Sequence, residues 1–270
     1  MKYNWDASTY DHISHVIESW GLEILAHRKW KGDEIVLDAG CGAGTLTKIL
    51  SDLVPHGRVI GIDIDPAMIE FAMTKLKDSN SSNAQVMQGD ISEMKFHSEF
   101  DVVFSNAVLH WIPDHKKVFD RFSQSLKSEG QLLVQCGGYG NLARSLEKFD
   151  QVKNSPRFRN YFKDQYGEQA WAKPWHFPRK EDVETLLKAA GFTNIHIFLE
   201  NKIANLGNKK NYSLYIRTIV LRPYLEYLHE EQLKKSFIDS IINEIEASMP
   251  ELRWKLDYVR LNIFANKKNN

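Results

Sequence analysis

Apolar positions recur along the chain with two periods, and the switches between them mark out the elements. From residue 7 to 30, Ile13, Val16, Ile17, Trp20, Ile24 and Leu25 fall three or four apart with polar residues between them, which predicts an amphipathic helix. "EIVLD" is an unbroken apolar run of strand length, and the spacing turns helical again from Thr45 to Leu50. "RVIGIDI" predicts a second strand. Asp65 followed by Pro66 then opens a helix through Met68, Ile69, Ala72 and Leu76, because an aspartate side chain caps first-turn N–H groups and proline suits the first helical position. "AQVMQGDI", "FDVVFSNAV" and "GQLLVQC" predict three more strands, with the amphipathic "DHKKVFDRFSQSLK" before the last. Strand and helix alternating in units of this size predict a parallel sheet with right-handed crossovers.

The alternation breaks after residue 137. Residues 138–178 are polar and aromatic; "RKEDVETLLKAAGF" then resumes as a helix stopped by Gly191. "NIHIFLE" and "RLNIFANK" predict the last two strands, and residues 201–258 between them carry helical patterns such as "EEQLKKSFIDSIINEIEASM". The expected architecture is α/β, a Rossmann-like, seven-stranded, mostly parallel sheet with helices on both faces and a helical cap from two insertions. Its parts are an N-terminal helical segment (1–30), a core (31–137), a first insertion (138–178), a core helix and strand (179–200), a second insertion (201–258) and a last strand with tail (259–270).

Composition narrows the function. The 270 residues are 43% hydrophobic and 26% charged, ordinary for a globular chain. Lys and Arg number 35 and Asp and Glu 35, so no global field recruits nucleic acid or an anionic membrane. Two cysteines make neither a disulfide framework nor a cysteine-based zinc site, and no metal is expected. "MKYNWDASTY" lacks the apolar core of a signal peptide, which leads to the expectation of a cytoplasmic protein.

The candidate chemistry begins in "IVLDAGCGAGTLTKIL", with glycines at 40, 42 and 44 around Cys41 and Asp38 just before them. In doubly wound sheets the first strand–helix turn lies under the ligand, and glycine lets backbone approach it closely. The spacing is not G-x-G-x-x-G, nor does Gly-Lys-Ser/Thr follow, so neither a dinucleotide nor a P-loop phosphate fits. A carboxylate beside the turn suits a cationic ligand. Asp63 and Ile64 end the second strand nineteen residues past Gly44, the distance at which an acid meets ribose hydroxyls, and Asp90 with Ile91 suits the amine and face of a base. Ribose, base and a cationic amino-acid tail together describe S-adenosylmethionine (SAM).

"VLDAGCGAGTLT", "GIDIDPAMIEFA", "QGDI" and "FDVVFSNAVLHWIPDH" resemble successive motifs of class I SAM-dependent methyltransferases across residues 35 to 136. The resemblance implies Gly40 to Gly44 under the methionine moiety, Asp63 on the ribose, Asp90 and Ile91 at the adenine, and Asn106 bordering the cofactor. It also implies S-adenosyl-L-homocysteine as product, a seventh, antiparallel strand at "RLNIFANK", and a first helix over the cofactor's carboxylate. On that helix Tyr10 is a candidate hydroxyl; Trp5 stands just before it.

"NAVLHWIPDH" and "LRPYLEYLHEEQLKKSFI" are similar to trans-aconitate methyltransferases, which esterify a small polyacid. "YDHI" and "LDAGCGAG" also resemble methyltransferases acting on a malonyl group tethered to a carrier protein. The expected partner is thus a small anionic substrate, with a carrier protein as the alternative and a non-catalytic SAM-binding module as a third reading. A carboxylate, with a pKa near ~4, needs no general base but needs its other charges held. Residues 141–180 carry nine Lys or Arg against four acids. Arg144 and Arg222 are the candidate anchors there and in the second insertion. His110 and Trp111 should face the methyl group; His110 reads as a carboxylate-orienting group, as a base for a hydroxyl, or as a bonded loop histidine. Trp171, Trp175, His176 and Phe177 form an aromatic group that reads as a lid or as packing.

Overall fold

The computed structural model describes residues 6–164, 167–168 and 170–269; Trp5 lies outside them. Seven strands form one sheet: β1 (Ile35–Ala39), β2 (Arg58–Asp63), β3 (Ala84–Gln88), β4 (Phe100–Asn106), β5 (Leu126–Gly137), β6 (Phe192–Asn205) and β7 (Lys255–Lys267). Their order is β3-β2-β1-β4-β5-β7-β6. The pairs from β3 to β5 are parallel and β7 runs antiparallel to β5, placing Gly137 opposite Arg260.

The helices in chain order are α1 (Ala7–Ile13), α2 (His15–Ala26), α3 (Thr45–Leu53), α4 (Pro66–Asp78), α5 (His115–Ser125), α6 (Ala143–Lys153), α7 (Lys180–Ala189), α8 (Lys209–Tyr215), α9 (Arg222–Leu225) and α10 (Glu231–Ser248). Side chains alternate across a strand, so each central strand feeds two cores. Leu37, Val103 and Leu132 pack with Val118, Phe119 and Phe122 of α5 and Leu187 of α7. Val36, Val102 and Leu133 pack on the other face with Ile24 of α2, Leu46 of α3 and Ile69 of α4. Cover on both faces is why these strands read as unbroken apolar runs.

Asp65 caps α4 as expected, accepting from the N–H groups of Ala67 (2.8 Å) and Met68 (3.3 Å) ahead of Pro66. The expected single N-terminal helix is instead two, parted at Ser14. The Ser14 hydroxyl turns inward to Glu18 Oε1 (2.6 Å), an interaction that apolar periodicity does not register. Strands β5, β6 and β7 each run beyond their apolar patterns, because ladder bonds continue through polar residues.

The chain divides into two compact units. One holds residues up to Tyr139, His176–Glu200 and the chain from Arg260 on; the other holds Gly140–Trp175 and Asn201–Val259. The second unit has its own core. Trp171 stacks on Tyr224 with centroids 4.1 Å apart, and Phe149, Phe162 and Phe237 meet the Tyr224 ring at 6.0–6.4 Å. Beside them Asp150 accepts from the Tyr224 hydroxyl (3.0 Å) and pairs with Lys173 (3.0 Å) and Lys153 (3.4 Å).

Candidate active site

The turn after β1 is pinned to its neighbour by backbone bonds: the N–H groups of Gly40 and Cys41 both donate to Ile62 O, at 2.7 and 2.9 Å. Gly40 has φ +86°, and a Cβ there would sit 2.2 Å from Val108. Gly42 (φ +52°) differs, since a Cβ there would meet nothing within 4 Å. Gly44 serves packing: a Cβ on it would lie 2.8 Å from that of Ala72 on α4. The three glycines therefore divide their work, and only Gly42 opens on unfilled space.

Two carboxylates flank the turn. Asp38 is 2% exposed and accepts from Thr47 Oγ1 at 2.6 Å. Burial, with a smaller push from Asp63, raises its pKa to about 7 against the opposing Thr47 bond. Asp63 accepts from the Gly42 N–H (2.9 Å) through one oxygen and from the Asp65 N–H (2.9 Å) through the other. Burial raises its pKa as well. Asp63 thus braces the turn while each oxygen keeps a lone pair for a ligand hydroxyl.

Asp38, Gly40, Cys41 and Gly42 line one wall of a pocket of about 430 Å³, open mouth included. Tyr10, Ser14 and Glu18 of the N-terminal helices line another, and Asn106 closes the end of β4. Asp11 accepts from Thr45 Oγ1 (2.9 Å) and pairs with Lys75, which fastens α1 to the turn and to α4. Asn106 donates to the carbonyl of Ile17 (3.2 Å), whereas its buried Oδ1 has no hydrogen-bond partner among the described residues. Gly21 makes this approach of α2 feasible, since a Cβ there would lie 2.9 Å from Asn106 Nδ2. Sequence reading missed Gly21, Ser14 and Glu18; a glycine inside an otherwise helical pattern was the available signal.

At the other strand ends, Asp90 is exposed and accepts from the Ser92 N–H (2.8 Å). Ile91 is 4% exposed and its side chain packs in the sheet core. Ile64, just past the end of β2, is 58% exposed.

The acceptor candidates divide between the units. His110 is buried and accepts the Gly137 N–H at Nδ1 (3.2 Å), so its proton resides on Nε2. Burial, then the charge of Arg260 and the neighbouring His115, hold its pKa well below the ordinary histidine value. In the neutral ring one nitrogen is thus taken and the other carries a proton. Trp111 and Phe177 flank the ring at 5.6 and 6.0 Å, and the His176 N–H donates to the His110 carbonyl (2.8 Å). The expected aromatic group is split, for Trp171 and Trp175 belong to the core of the second unit, 6.5 Å apart.

Arg144 and Arg222 also belong to the second unit. Arg144 pairs with Glu251 at the surface, and the charge of Arg222 acts on Glu226. The buried cation of the first unit is one that sequence reading missed, Arg260, 1% exposed on β7. It stands in an apolar strand pattern, where charge is not expected.

An open glycine, an unsatisfied amide oxygen, a buried carboxylate (Asp38) and a half-buried one (Asp63) fit the cationic tail, ribose and amino-acid groups of SAM. The comparisons with known proteins agree. A profile of the methyltransferase domain matches residues 31–191. An uncharacterised methyltransferase of Schizosaccharomyces pombe is 29% identical over 276 residues, covering 98% of each chain. The trans-aconitate 2-methyltransferase of Escherichia coli O7:K1 is 36% identical over 132 residues, 49% of this chain and 50% of its own length. A solved structure, phosphoethanolamine N-methyltransferase 2 of Haemonchus contortus with phosphomonomethylethanolamine and S-adenosylhomocysteine, shares the fold. Its TM-score is 0.62 at 20% identity, over 98% of this chain and 57% of that one. The chain is a class I SAM-dependent methyltransferase.

In this methyltransferase the bound cofactor supplies a methyl group on a sulfonium, an electrophile already activated. The protein's share is positioning and electrostatics. Asp38 and Asp63 would meet the cationic and ribose ends, and Gly42 would leave room for the ligand. Among the described residues no cluster of three or more His, Cys, Asp or Glu could hold a metal, and no helix is long and apolar enough to cross a membrane.

Proposed function

We propose that this methyltransferase esterifies a carboxylate of a small polyacid. The observation that carries the reading is the tautomer of His110, whose Nδ1 is taken by the Gly137 N–H and whose Nε2 offers a donor. A hydroxyl or ammonium acceptor must lose a proton to a base, whereas a carboxylate is already ionised at neutral pH, with a pKa near ~4. The likeness to trans-aconitate 2-methyltransferase over half of each chain supports the same acceptor class.

The test uses SAM with a labelled methyl group, a panel of small acids including trans-aconitate, and hydroxyl and amine acceptors beside them. Label transferred to an acid and released by mild alkali as methanol is the expected result. Transfer to an amine or hydroxyl acceptor alone would overturn the reading.

A second reading, an acid tethered to a carrier protein, is favoured by Arg157, Arg159, Lys163 and Lys173, all exposed in the second unit. It predicts no turnover of free acids and activity with the carrier that falls as salt rises.

A further inference from the structure

Three segments distant in sequence meet at the carboxyl end of β5. His110 comes from the turn after β4, Gly137 ends β5, and Arg260 is the cross-strand partner of Gly137 on β7. The Gly137 N–H fixes the His110 ring by donating to Nδ1. Arg260 is fixed in its turn: Nε donates to Gln135 Oε1 at 3.2 Å, and the guanidinium carbon lies 5.2 Å from the centroid of Trp20. Gln135 is anchored by donating to the Trp20 carbonyl (3.2 Å) and to Asn262 Oδ1 (3.0 Å). A permanent positive charge is therefore held rigidly below the protein surface, and its field reaches His110. Burial and that charge both disfavour protonation of the ring, so His110 stays neutral and its Nε2–H is a donor.

Resting on the reading of the acceptor as a carboxylic acid, we infer that His110, backed by the buried charge of Arg260, receives the carboxylate that is not methylated. The chemistry dictates which carboxylate that is. A hydrogen bond donated to the attacking oxygen draws electron density from the nucleophile and slows displacement. The same bond on a distant carboxylate orients the substrate and leaves the attacking oxygen bare. His110 is then the contact, and Arg260 is a positioning residue acting through its field. The site selects acids carrying a second negative charge.

The experiment compares kcat/KM for pairs of acids with and without that charge, trans-aconitate beside crotonate and glutarate beside pentanoate, using the full chain and labelled SAM. The wild-type protein should prefer the polyacid by about 100-fold, the scale on which a buried charge contact discriminates. His110→Phe and Arg260→Met should reduce the preference to within about tenfold, through KM, with SAM affinity held within about twofold. His110→Gln, which keeps an N–H donor, and Arg260→Lys, which keeps the charge, should retain most of it. If Arg260→Met also loses SAM binding, Arg260→Lys and the His110 pair carry the test.

A wild-type protein indifferent to the second charge overturns the subsite, as does an undiminished preference in His110→Phe. Both results leave acid methylation standing. Turnover of only amine or hydroxyl acceptors removes the acid reading and the subsite together.

Discussion

The glycine turn after β1 and the aromatic core around Tyr224 both gather residues of chemical type, and they use them in opposite ways. In the second unit charges and rings satisfy one another: Asp150 is met by Lys153, Lys173 and the Tyr224 hydroxyl, and Trp171 stacks on Tyr224. In the turn, Asp38 is buried with one hydroxyl for company, Asn106 Oδ1 has no described partner, and Gly42 faces open space. A site is recognised less by its residue types than by polar groups left under-satisfied at a cost that a ligand removes.

The largest effect expected to sharpen this contrast comes from Gly40. Gly40→Ala forces a Cβ to 2.2 Å from Val108 at φ +86°, and strain plus overpacking should cost about 3 kcal/mol. SAM binding should disappear with it. A variant that melts within a degree or two of wild type in a thermal scan would show that the turn can shift.

Asp150→Asn comes next. It leaves the nearly buried Lys153 and its neighbour Lys173 without their anion, and should destabilise the protein by about 2 kcal/mol. SAM affinity should stay as in wild type, and a weakened titration would erase the distinction between the two regions.

The third prediction concerns pH. With Asp38 at about 7 in the cofactor-free protein, a cationic ligand favours its ionised form and lowers that value. SAM affinity should therefore rise with pH, by up to about tenfold per unit (~1.4 kcal/mol) below pH 7, then level off. Binding at pH 6 should release a proton, seen calorimetrically by comparing buffers of different ionisation enthalpy. The cofactor-free protein carries the opposite sign. Its stability falls as pH rises from about 4 to 7, because the unfolded carboxyl ionises in that window while the buried one holds its proton. Proton uptake on binding would contradict this assignment.

The smallest effect is expected at Gly42. Its Cβ would meet nothing, so Gly42→Ala should cost stability only about 1 kcal/mol, from its left-handed backbone. Its cost should appear in SAM affinity instead, and a loss of stability matching that of Gly40→Ala would mean the two glycines do the same work.

Much of the glycine turn and the strand ends beside it was legible in the chain because it is built locally. Apolar runs set the strands, Asp65–Pro66 set the start of α4, and the glycine turn, Asp63 and Asp90 fall at strand ends within one stretch of sequence. That the Ile91 side chain turns into the sheet core was not legible, because its neighbours show a strand end and not which way a side chain turns. The polar break at Ser14 and the close approach at Gly21 depend on Glu18, Asn106 and Leu46, which no periodicity connects to them.

The sequence by itself determined the strands, most of the helices around them and the glycine turn after β1, since short-range periodicity and backbone requirements suffice for these. Tertiary structure alone decided the surroundings of His110. His110, Gly137 and Arg260 come together only when β7 inserts antiparallel beside β5, and only there do burial and a neighbouring charge leave His110 a neutral donor. Protonation state is a property of surroundings, and those surroundings come from strands more than a hundred residues apart.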